Sequence, residues 1–178
     1  MSFKFHKTPF EGVYAIENHV FEDDRGIYSK NYEIDIFKKH GINFSITESS
    51  DLYTKKGAIR GLHYQKGESQ AKLVRVIKGK IFDVIVDLRM SSPSYMQVYS
   101  IILDEKNINS LLIPKDFAHG FLALEDSIFS YHCDGEYQPE LCGGIRWNDP
   151  KLDILWPIKE YNIEKLIITN KDSKWDLL

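Results

Sequence analysis

The sequence predicts an all-β domain that forms a barrel or a sandwich, with only a few short helices. Segments rich in β-branched and aromatic residues recur along most of the chain. Turns that contain glycine or proline separate these segments at roughly regular spacing, which is typical of barrels and sandwiches. The 178 residues suit one domain spanning residues 1–178, and a hydrophobic fraction of 43% is ample for its core.

The first half of the chain holds one predicted helix among several strands. One strand is expected over residues 13–20, ending at the polar turn of residues 22–24, and another over residues 26–32. A short helix is expected over residues 33–40, because Gly41 follows it as a stop signal. The other strands expected in this half cover residues 44–47, 58–64 and 73–77.

The second half continues the β pattern as far as residue 133. The Lys-Gly-Lys sequence at residues 78–80 predicts a hairpin turn into a strand over residues 81–88. Beyond residue 139 the pattern is irregular, and a short helix is expected near residues 163–166. The remaining strands are expected over residues 95–103, 110–113, 120–124 and 128–133.

Alternation along the predicted strands indicates a polar lining on one side of the fold. His63 and Gln65 share a strand face because successive side chains point to opposite sides. In residues 81–88, Asp83 and Asp87 lie opposite an entirely apolar face. A barrel with polar residues on a few inner strand faces forms a cup for a ligand.

Composition argues against several functional classes. The formal net charge of −3 and a pI near 6.1 leave no basic surplus to neutralise a nucleic-acid backbone. No apolar stretch approaches the roughly 20 residues that span a bilayer. With no signal-like N-terminus, Cys133 and Cys142 are expected as reduced thiols in a cytoplasmic protein. The chain contains no phosphate-binding loop, dinucleotide fingerprint or nucleophile elbow.

Two segments, Ile59–Gln65 (IRGLHYQ) and residues 114–121 (PKDFAHGF), each place one histidine beside a predicted core strand. His63 is either a general base at the mouth of the cup or a core histidine that binds a backbone carbonyl. Arg60 favours the first interpretation, because an arginine beside a histidine suits an anionic ligand such as phosphate. His119 contacts either a ligand or a structural partner.

The other candidate groups also have two interpretations. Lys72 and Arg75 are three apart on one strand, so only one of them can line the cup, and either can be a solvated surface charge. Tyr131 is either a core tyrosine or a catalytic one. Metal-binding β-barrels usually carry a His-x-His pair, but here Gln65 takes the second position, so no metal is predicted.

Taken together, these motifs resemble the nucleotide-sugar 3,5-epimerase family. The matches follow the family's order over nearly the whole chain, and that many ordered matches are highly specific. They comprise residues 21–26, 59–65, 72–76, 79, 82–89, 92–94 and 113–121, Tyr131 and Tyr137, and residues 147–150, 156–157 and 171–172.

The resemblance implies a cupin-type jelly roll that acts as a homodimer on a nucleotide-diphosphate-linked 4-keto sugar, without metal or other cofactor. His63 matches the family's base, Asp172 its orienting carboxylate, Lys72 the cation that steadies an enolate, and Tyr131 the acid on the opposite face of the sugar. The positions expected to contact substrate are Arg25, Arg60 and His119 at the diphosphate or sugar, Phe21 and Tyr137 near the nucleotide, and Gln65 and Glu48.

These residue types suit the implied chemistry. The C3 and C5 protons of a 4-keto sugar lie beside a carbonyl, so a base with a near-neutral pKa can remove one if the site stabilises the enolate charge. An aspartate holds such an imidazole in one tautomer, and a tyrosine can return a proton from the other face. No redox cofactor is needed.

The recognition residues depart from the family pattern. The family's Gln-x-Asn-x-Ser-x-Ser segment is replaced by Glu48–Thr54, and Ile27 and Lys30 stand where an aromatic residue and a glutamate are usual. We therefore expect an altered substrate, such as a GDP-linked or heptose 4-keto sugar, or inversion at C3 alone. The alternatives are a sugar-nucleotide ketoisomerase, a non-catalytic binding module and a metal-dependent oxygenase, the last disfavoured by the His-x-Gln sequence.

Overall fold

A computed structural model describes residues 2–67, 69–107 and 109–178, and within them the chain is mostly β-strand. The two helices described there have six and four residues, so neither is long enough to cross a membrane. The elements are β1 (Lys4–Lys7), β2 (Tyr14–Glu17), β3 (His19–Asp23), β4 (Gly26–Lys30), α1 (Ile34–Lys39), β5 (Glu48–Thr54), β6 (Ile59–Gln65), β7 (Ala71–Lys78), β8 (Lys80–Asp87), β9 (Val98–Asp104), β10 (Asn109–Ile113), β11 (Phe117–Ala123), β12 (Ser127–Asp134), β13 (Cys142–Gly144) and α2 (Asn170–Ser173).

Two antiparallel sheets form the body of the molecule. One has the strand order β1-β2-β10-β7-β12-β5, and the other has the order β13-β6-β11-β8-β9. Their facing sides share one apolar core, in which Val74 and Phe129 of the first sheet pack with Ile85 and Phe121 of the second. This arrangement confirms the predicted all-β sandwich or barrel, and it leaves the space between the sheets as the natural place for a ligand.

The outer faces of both sheets are covered by other parts of the chain. Phe37 of α1 is fully buried and packs with Ile16 and Leu73 on the six-stranded sheet. α1 has an acidic residue in its first turn and lysines in its last, as the helix dipole favours. On the five-stranded sheet, the predicted apolar face of β8 packs against Ile145 and Leu152. The apolar alternation in β8 therefore faces outward, and Asp83 and Asp87 face the interior.

One predicted strand is broken in two. The strand expected over residues 13–20 ends at Asn18, whose buried amide donates to Asn31 Oδ1 at 3.1 Å and accepts from Ser110 at 3.0 Å. At Asn18 these side-chain bonds take the place of the backbone pairing of β2. The next strand, β3, leaves the six-stranded sheet and pairs with β4 in a separate two-stranded hairpin. The hairpin turns at residues 24–25, so the polar turn predicted at residues 22–24 lies two residues further along, and Glu22 and Asp23 belong to β3.

Other boundaries also differ from the prediction. The strand expected at residues 44–47 lies instead at β5, whose polar sequence hid it because Glu48, Ser50 and Thr54 alternate towards the interior. The helix expected near residues 163–166 is absent, and the helix of this region is α2, capped by the Thr169 side chain. The short strands β1 and β13 were also missed.

Candidate active site

A cavity of about 320 Å³ opens between the two sheets, and most of the predicted site residues meet there. Each wall comes from a different sheet, because β6 and β11 belong to the five-stranded sheet and β5, β7 and β12 to the six-stranded sheet. The predicted residues that line it are Glu48, His63, Gln65, Lys72, His119, Tyr131 and Tyr137. His63 and Tyr131 therefore face one shared space from opposite walls.

Two glycines allow β6 and β11 to approach closely enough to bring both motif histidines together. Gly61 has a φ of +117°, and a Cβ there would meet Gly120 Cα at 2.5 Å. A Cβ on Gly120 would in turn meet the Arg60 carbonyl oxygen at 2.6 Å. With neither side chain present, the ladder places His63 directly opposite His119. The glycines of the two motifs thus allow the backbones of β6 and β11 to lie in close contact.

His63 is paired with the carboxylate predicted as its partner. His63 Nε2 lies 2.7 Å from Asp172 Oδ1, and the Asp172 side chain is only 6% exposed. Burial lowers the pKa of His63, Asp172 opposes this, and the net pKa lies below its usual value. A neutral imidazole that donates Nε2–H to the carboxylate keeps the Nδ1 lone pair for accepting a proton.

Lys72 lines the cavity, whereas Arg75 of the same strand does not, as their spacing predicts. Among the residues that the structure describes, no carboxylate lies within ion-pair distance of the Lys72 ammonium. Burial lowers the pKa of Lys72, and Cys133 and Asp83 partly oppose the shift. Lys72 thus directs its amino group at the cavity, and no described residue holds it in a fixed ion pair.

Tyr131 stands on the wall opposite His63 and is partly buried. Burial raises the pKa of its phenol, a hydrogen bond with Ser50 lowers it, and the Glu48 carboxylate raises it further, with a net upward shift. Ser50 in turn donates to Glu48 Oε1 at 3.1 Å. The phenol is therefore protonated at neutral pH and linked to the polar wall formed by β5.

His119 has a buried partner that the motif alone did not reveal. Its Nε2 lies 3.0 Å from both carboxylate oxygens of Asp83, a residue with no exposed surface. The structural partner is therefore present, and the ring also lines the cavity, so a ligand contact of His119 stays a prediction. The alternation of β8 places Asp83 on the same inner side as the cavity, and this was the feature of the sequence that could have identified it as a partner of His119.

Gln65 lines the cavity, but its amide also supports a loop. Its Nε2 donates to the Glu136 carbonyl at 3.1 Å, and its Oε1 accepts from Gln138 N–H at 2.9 Å. These bonds hold Tyr137 between them at the cavity rim. A hydrogen bond with Cys142 raises the pKa of the Tyr137 phenol. This anchoring role adds to the expected substrate contact of Gln65, which stays a prediction.

Three of the predicted substrate contacts lie outside this cavity. Arg60 borders a neighbouring depression that also includes His63, and its Nε donates to Thr54 Oγ1 at 3.2 Å. Arg25 and Phe21 lie on the β3–β4 hairpin, where the Arg25 side chain is 88% exposed and pairs with Asp23. Within one chain Arg25 and Phe21 do not line the cavity, because the strand break at Asn18 separates the hairpin from the six-stranded sheet.

Among the described residues, no group of three or more His, Cys, Asp or Glu side chains is arranged to hold a metal ion. On one wall of the cavity, His63 is paired with Asp172, and the Tyr131 phenol lies on the opposite wall. The side chain of Lys72 also lines the cavity. Such an arrangement can remove a proton on one face of a bound ring, stabilise negative charge, and return a proton on the other face.

Comparison with known proteins identifies the family. The sequence profile described as dTDP-4-dehydrorhamnose 3,5-epimerase matches residues 7–178. This chain belongs to that family. It is 41% identical over 174 residues to the epimerase of Methanothermobacter thermautotrophicus, covering 97% of this chain and 93% of the relative. It is 38% identical over 172 residues to the Escherichia coli epimerase, with 94% and 90% covered.

Solved structures of epimerases from this family share the fold. The Bacillus anthracis enzyme, with TDP and PPi bound, superimposes with a TM-score of 0.92 at 37% identity over 99% of both chains. The Legionella pneumophila enzyme, in complex with dTDP-4-keto-L-rhamnose, gives 0.92 at 34% identity over 98% of this chain and 92% of the other. The predicted cupin-type fold is therefore confirmed, and the protein is a carbohydrate epimerase of nucleotide-linked 4-keto sugars.

Proposed function

We propose that this epimerase inverts C3, C5 or both by moving protons between His63, the sugar and Tyr131. The observation that carries the proposal is the position of His63 and Tyr131 on opposite walls of one cavity. Inversion requires removal of a proton from one face of the ring and addition of a proton to the other. A base and an acid on opposite walls of one cavity meet this requirement without any redox step.

His63 is the proposed base. Its Nδ1 takes the proton from the carbon beside the C4 ketone, and the C–H bonding pair moves to form the enolate. The imidazole becomes an imidazolium, and Asp172, held 2.7 Å away, stabilises that charge and fixes the ring. The lowered pKa of His63 keeps the free imidazole neutral and ready to accept the proton at physiological pH.

Lys72 is the proposed stabiliser of the enolate. Negative charge develops on the C4 oxygen as the proton leaves, and an ammonium without a fixed counter-ion can approach that oxygen directly. Because Lys72 is buried, its interaction with a developing charge is less screened than at the surface. Collapse of the enolate then takes a proton from the Tyr131 hydroxyl on the opposite face and leaves a phenolate. The His63 imidazolium releases its proton to solvent and the phenolate takes one up from solvent, which restores both groups.

We propose that the substrate differs from the usual dTDP-linked 6-deoxy sugar of the family. Glu48 replaces the family's glutamine in the cavity wall, and a carboxylate accepts hydrogen bonds and repels phosphate. The substrate would therefore place hydroxyl groups, and not its diphosphate, beside Glu48. A GDP-linked nucleotide or a heptose fits this requirement, and the same change in the wall suits inversion at C3 alone.

We also propose a homodimer in which the β3–β4 hairpin of one subunit completes the cavity of the other. The hairpin leaves its own sheet and exposes Phe21, Ile27 and Tyr28, which are each more than half exposed. Covering these aromatic and aliphatic side chains favours association. A partner hairpin would bring Arg25 and Phe21 to the substrate.

We also propose that the enzyme is cytoplasmic, and the two free cysteines agree with that location.

One experiment tests the chemistry and the substrate together. The enzyme is incubated in deuterated water with dTDP- and GDP-linked 4-keto hexoses and heptoses, and loss of the C3 and C5 proton signals is followed by NMR. His63→Ala should abolish exchange at both carbons. Tyr131→Phe should retain exchange but lose inversion, because His63 can return a deuteron to the face it deprotonated. Exchange that survives in His63→Ala removes His63 from the role of base.

The same panel tests the altered substrate. Turnover of dTDP-4-keto-6-deoxyglucose at full rate, with none on the GDP-linked sugars or heptoses, would refute it.

The proposed dimer is tested by subunit mixing. Two variants expected to be inactive, Arg25→Ala and His63→Ala, are mixed after subunit dissociation. If hairpins are exchanged between subunits, each mixed dimer regains one of its two sites. About half of the dimers in an equal mixture are mixed, so the mixture should recover about a quarter of wild-type activity. No recovery, with mixed dimers shown to form, contradicts the shared site.

A further inference from the structure

The carboxylate beside His63 receives a second hydrogen bond from a residue to which no role has been assigned. Trp175 Nε1 donates to Asp172 Oδ1 at 3.3 Å, and the same oxygen accepts from His63 Nε2 at 2.7 Å. We infer that Trp175 is a positioning residue, whose indole N–H fixes the orientation of the Asp172 carboxylate and thereby the His63 imidazole. This inference rests on the proposed role of His63 as the base.

The indole is held in place by its surroundings. A Cβ on Gly144 would lie 2.2 Å from the ring, so the absence of a side chain at this end of β13 leaves the space that the indole fills. Arg146 Nε donates to the Trp175 carbonyl oxygen at 3.1 Å, and Lys171 Nζ lies 5.5 Å from the ring centroid. Trp175 is thus clamped between β13, the segment that follows it, and α2.

The carboxylate needs such a contact. The backbone of Asp172 is fixed by its N–H bond to Thr169 Oγ1 at 3.1 Å, but that bond leaves the side-chain torsion free. The terminal torsion of an aspartate is broad and roughly two-fold, so a single donor does not define it. Among the described residues, the side chains that donate to this carboxylate are His63 and Trp175. The indole therefore selects the rotamer in which Oδ1 meets the imidazole.

The indole also limits the imidazole directly. The rings of His63 and Trp175 meet edge to face, with centroids 6.4 Å apart and an interplanar angle of 70°. A tilt of the imidazole towards β13 would bring the two rings into collision. The base thus has one ring orientation set by a hydrogen bond through Asp172 and by contact with Trp175, as a preorganised site requires.

Trp175→Phe is the sharpest test, because it keeps an aromatic ring in the clamp and removes the N–H donor together with the five-membered ring of the indole. Trp156→Phe is the matched control, because the Trp156 indole also donates one hydrogen bond, to the Trp147 carbonyl at 2.8 Å, and packs outside the cavity. We expect Trp175→Phe to lower kcat for proton exchange about tenfold with little change in KM. Trp156→Phe should keep the wild-type kcat.

A pH titration separates positioning from general loss of structure. Without the indole bond the Asp172 carboxylate is free to rotate away from the imidazole, so the His63–Asp172 interaction should weaken. Asp172 raises the pKa of His63, so that pKa should fall in Trp175→Phe. Other charged or titratable groups face His63 from every side of the cavity, and all are unchanged in the variant. They are Glu48 on β5, Lys72 on β7, His119 on β11, Tyr131 on β12, Cys142 on β13, Lys171 on α2, and Tyr137. The titration is read from the His63 ring proton by NMR.

A second variant reaches the same contact from the other side. Gly144→Ala keeps the indole but displaces it, so it should reproduce the loss in kcat of Trp175→Phe. Wild-type kcat and an unchanged His63 titration in Trp175→Phe would overturn the inference. So would equal losses of kcat in Trp175→Phe and Trp156→Phe that follow equal losses of Tm. Proton exchange retained in His63→Ala would instead overturn the proposed function, which keeps the two failures distinct.

Discussion

His63 and Asp172 lie 109 residues apart in the chain, yet their side chains meet at 2.7 Å between strand β6 and helix α2. The contact exists because the chain after β13 returns across the five-stranded sheet and pairs beside β6, where Ile59 N–H donates to the Ile167 carbonyl at 3.0 Å. The last described helix then places Asp172 under the imidazole.

Replacing Asp172 by asparagine should slow proton abstraction by about 10³-fold or more, because the imidazolium loses its counter-charge and its fixed tautomer. Asp172 raises the pKa of His63, so its removal should lower that pKa further. The enzyme needs neutral His63, so the rise of kcat/KM with pH should shift to lower pH. Asp176→Asn, an exposed change on the same segment, is the control. An unshifted pH profile in Asp172→Asn would contradict the proposed coupling.

Replacing Lys72 by methionine should lower kcat by about 10²- to 10³-fold, since the enolate oxygen loses its cation. Methionine is similar in length and apolar, so it still occupies the buried space that the methylene groups of Lys72 fill. Arg75→Met is the matched control, because it removes a cation from the same strand on the face away from the cavity. Equal kinetic losses in both variants would show that the effect is not specific to the cavity.

Glu48→Gln should lower the pKa of Tyr131, because the Glu48 carboxylate raises it and the amide carries no charge. Where activity requires a protonated Tyr131, the fall of kcat at high pH should move to lower pH. Asp51→Asn serves as the control, since Asp51 points to the other side of β5. The phenol can be titrated by ultraviolet difference spectroscopy against Tyr131→Phe. A Tyr131 titration that is unaffected by Glu48→Gln would contradict the contact.

Asp87→Asn should destabilise the fold by about 2–4 kcal/mol. Asp87 is fully buried and accepts hydrogen bonds from Arg89 at 2.7 Å, Ser92 at 2.6 Å and Ser94 at 2.7 Å. Burial alone raises the pKa of Asp87, but these bonds outweigh it and hold the pKa well below its usual value. The stabilisation is thus complete above about pH 4 and is lost as the pH falls through the lowered pKa.

Denaturant unfolding at fixed protein concentration measures this change, with Glu17→Gln as the control. Glu17 forms an ion pair with Lys4 at 2.6 Å and a bond with His6 at 2.8 Å, but its side chain is 42% exposed and lies outside the hairpin. Solvent screens that pair, so its loss should change the free energy of unfolding far less. Similar changes in the two variants would show that burial of Asp87 is not the cause.

Much of the site was already visible in the sequence. Alternation along β8 placed Asp83 and Asp87 on one face, and the spacing of Lys72 and Arg75 assigned them to opposite faces, as observed. Alternation succeeds there because those strands are regular and fully paired. It failed at β5, whose inward side is polar because it lines the cavity, so the hydrophobic signal of a strand is missing.

The sequence by itself determined the all-β class, the two histidine motifs and, through their order, the likeness to nucleotide-sugar epimerases. These features are local, since they depend on side-chain alternation and on residues that are near one another in the chain. Tertiary structure decided which groups meet: Asp172 and Trp175 at His63, Asp83 at His119, and the hairpin of Arg25 outside its own cavity. Such contacts depend on how distant segments pack, and no pattern along a single strand or helix contains that information.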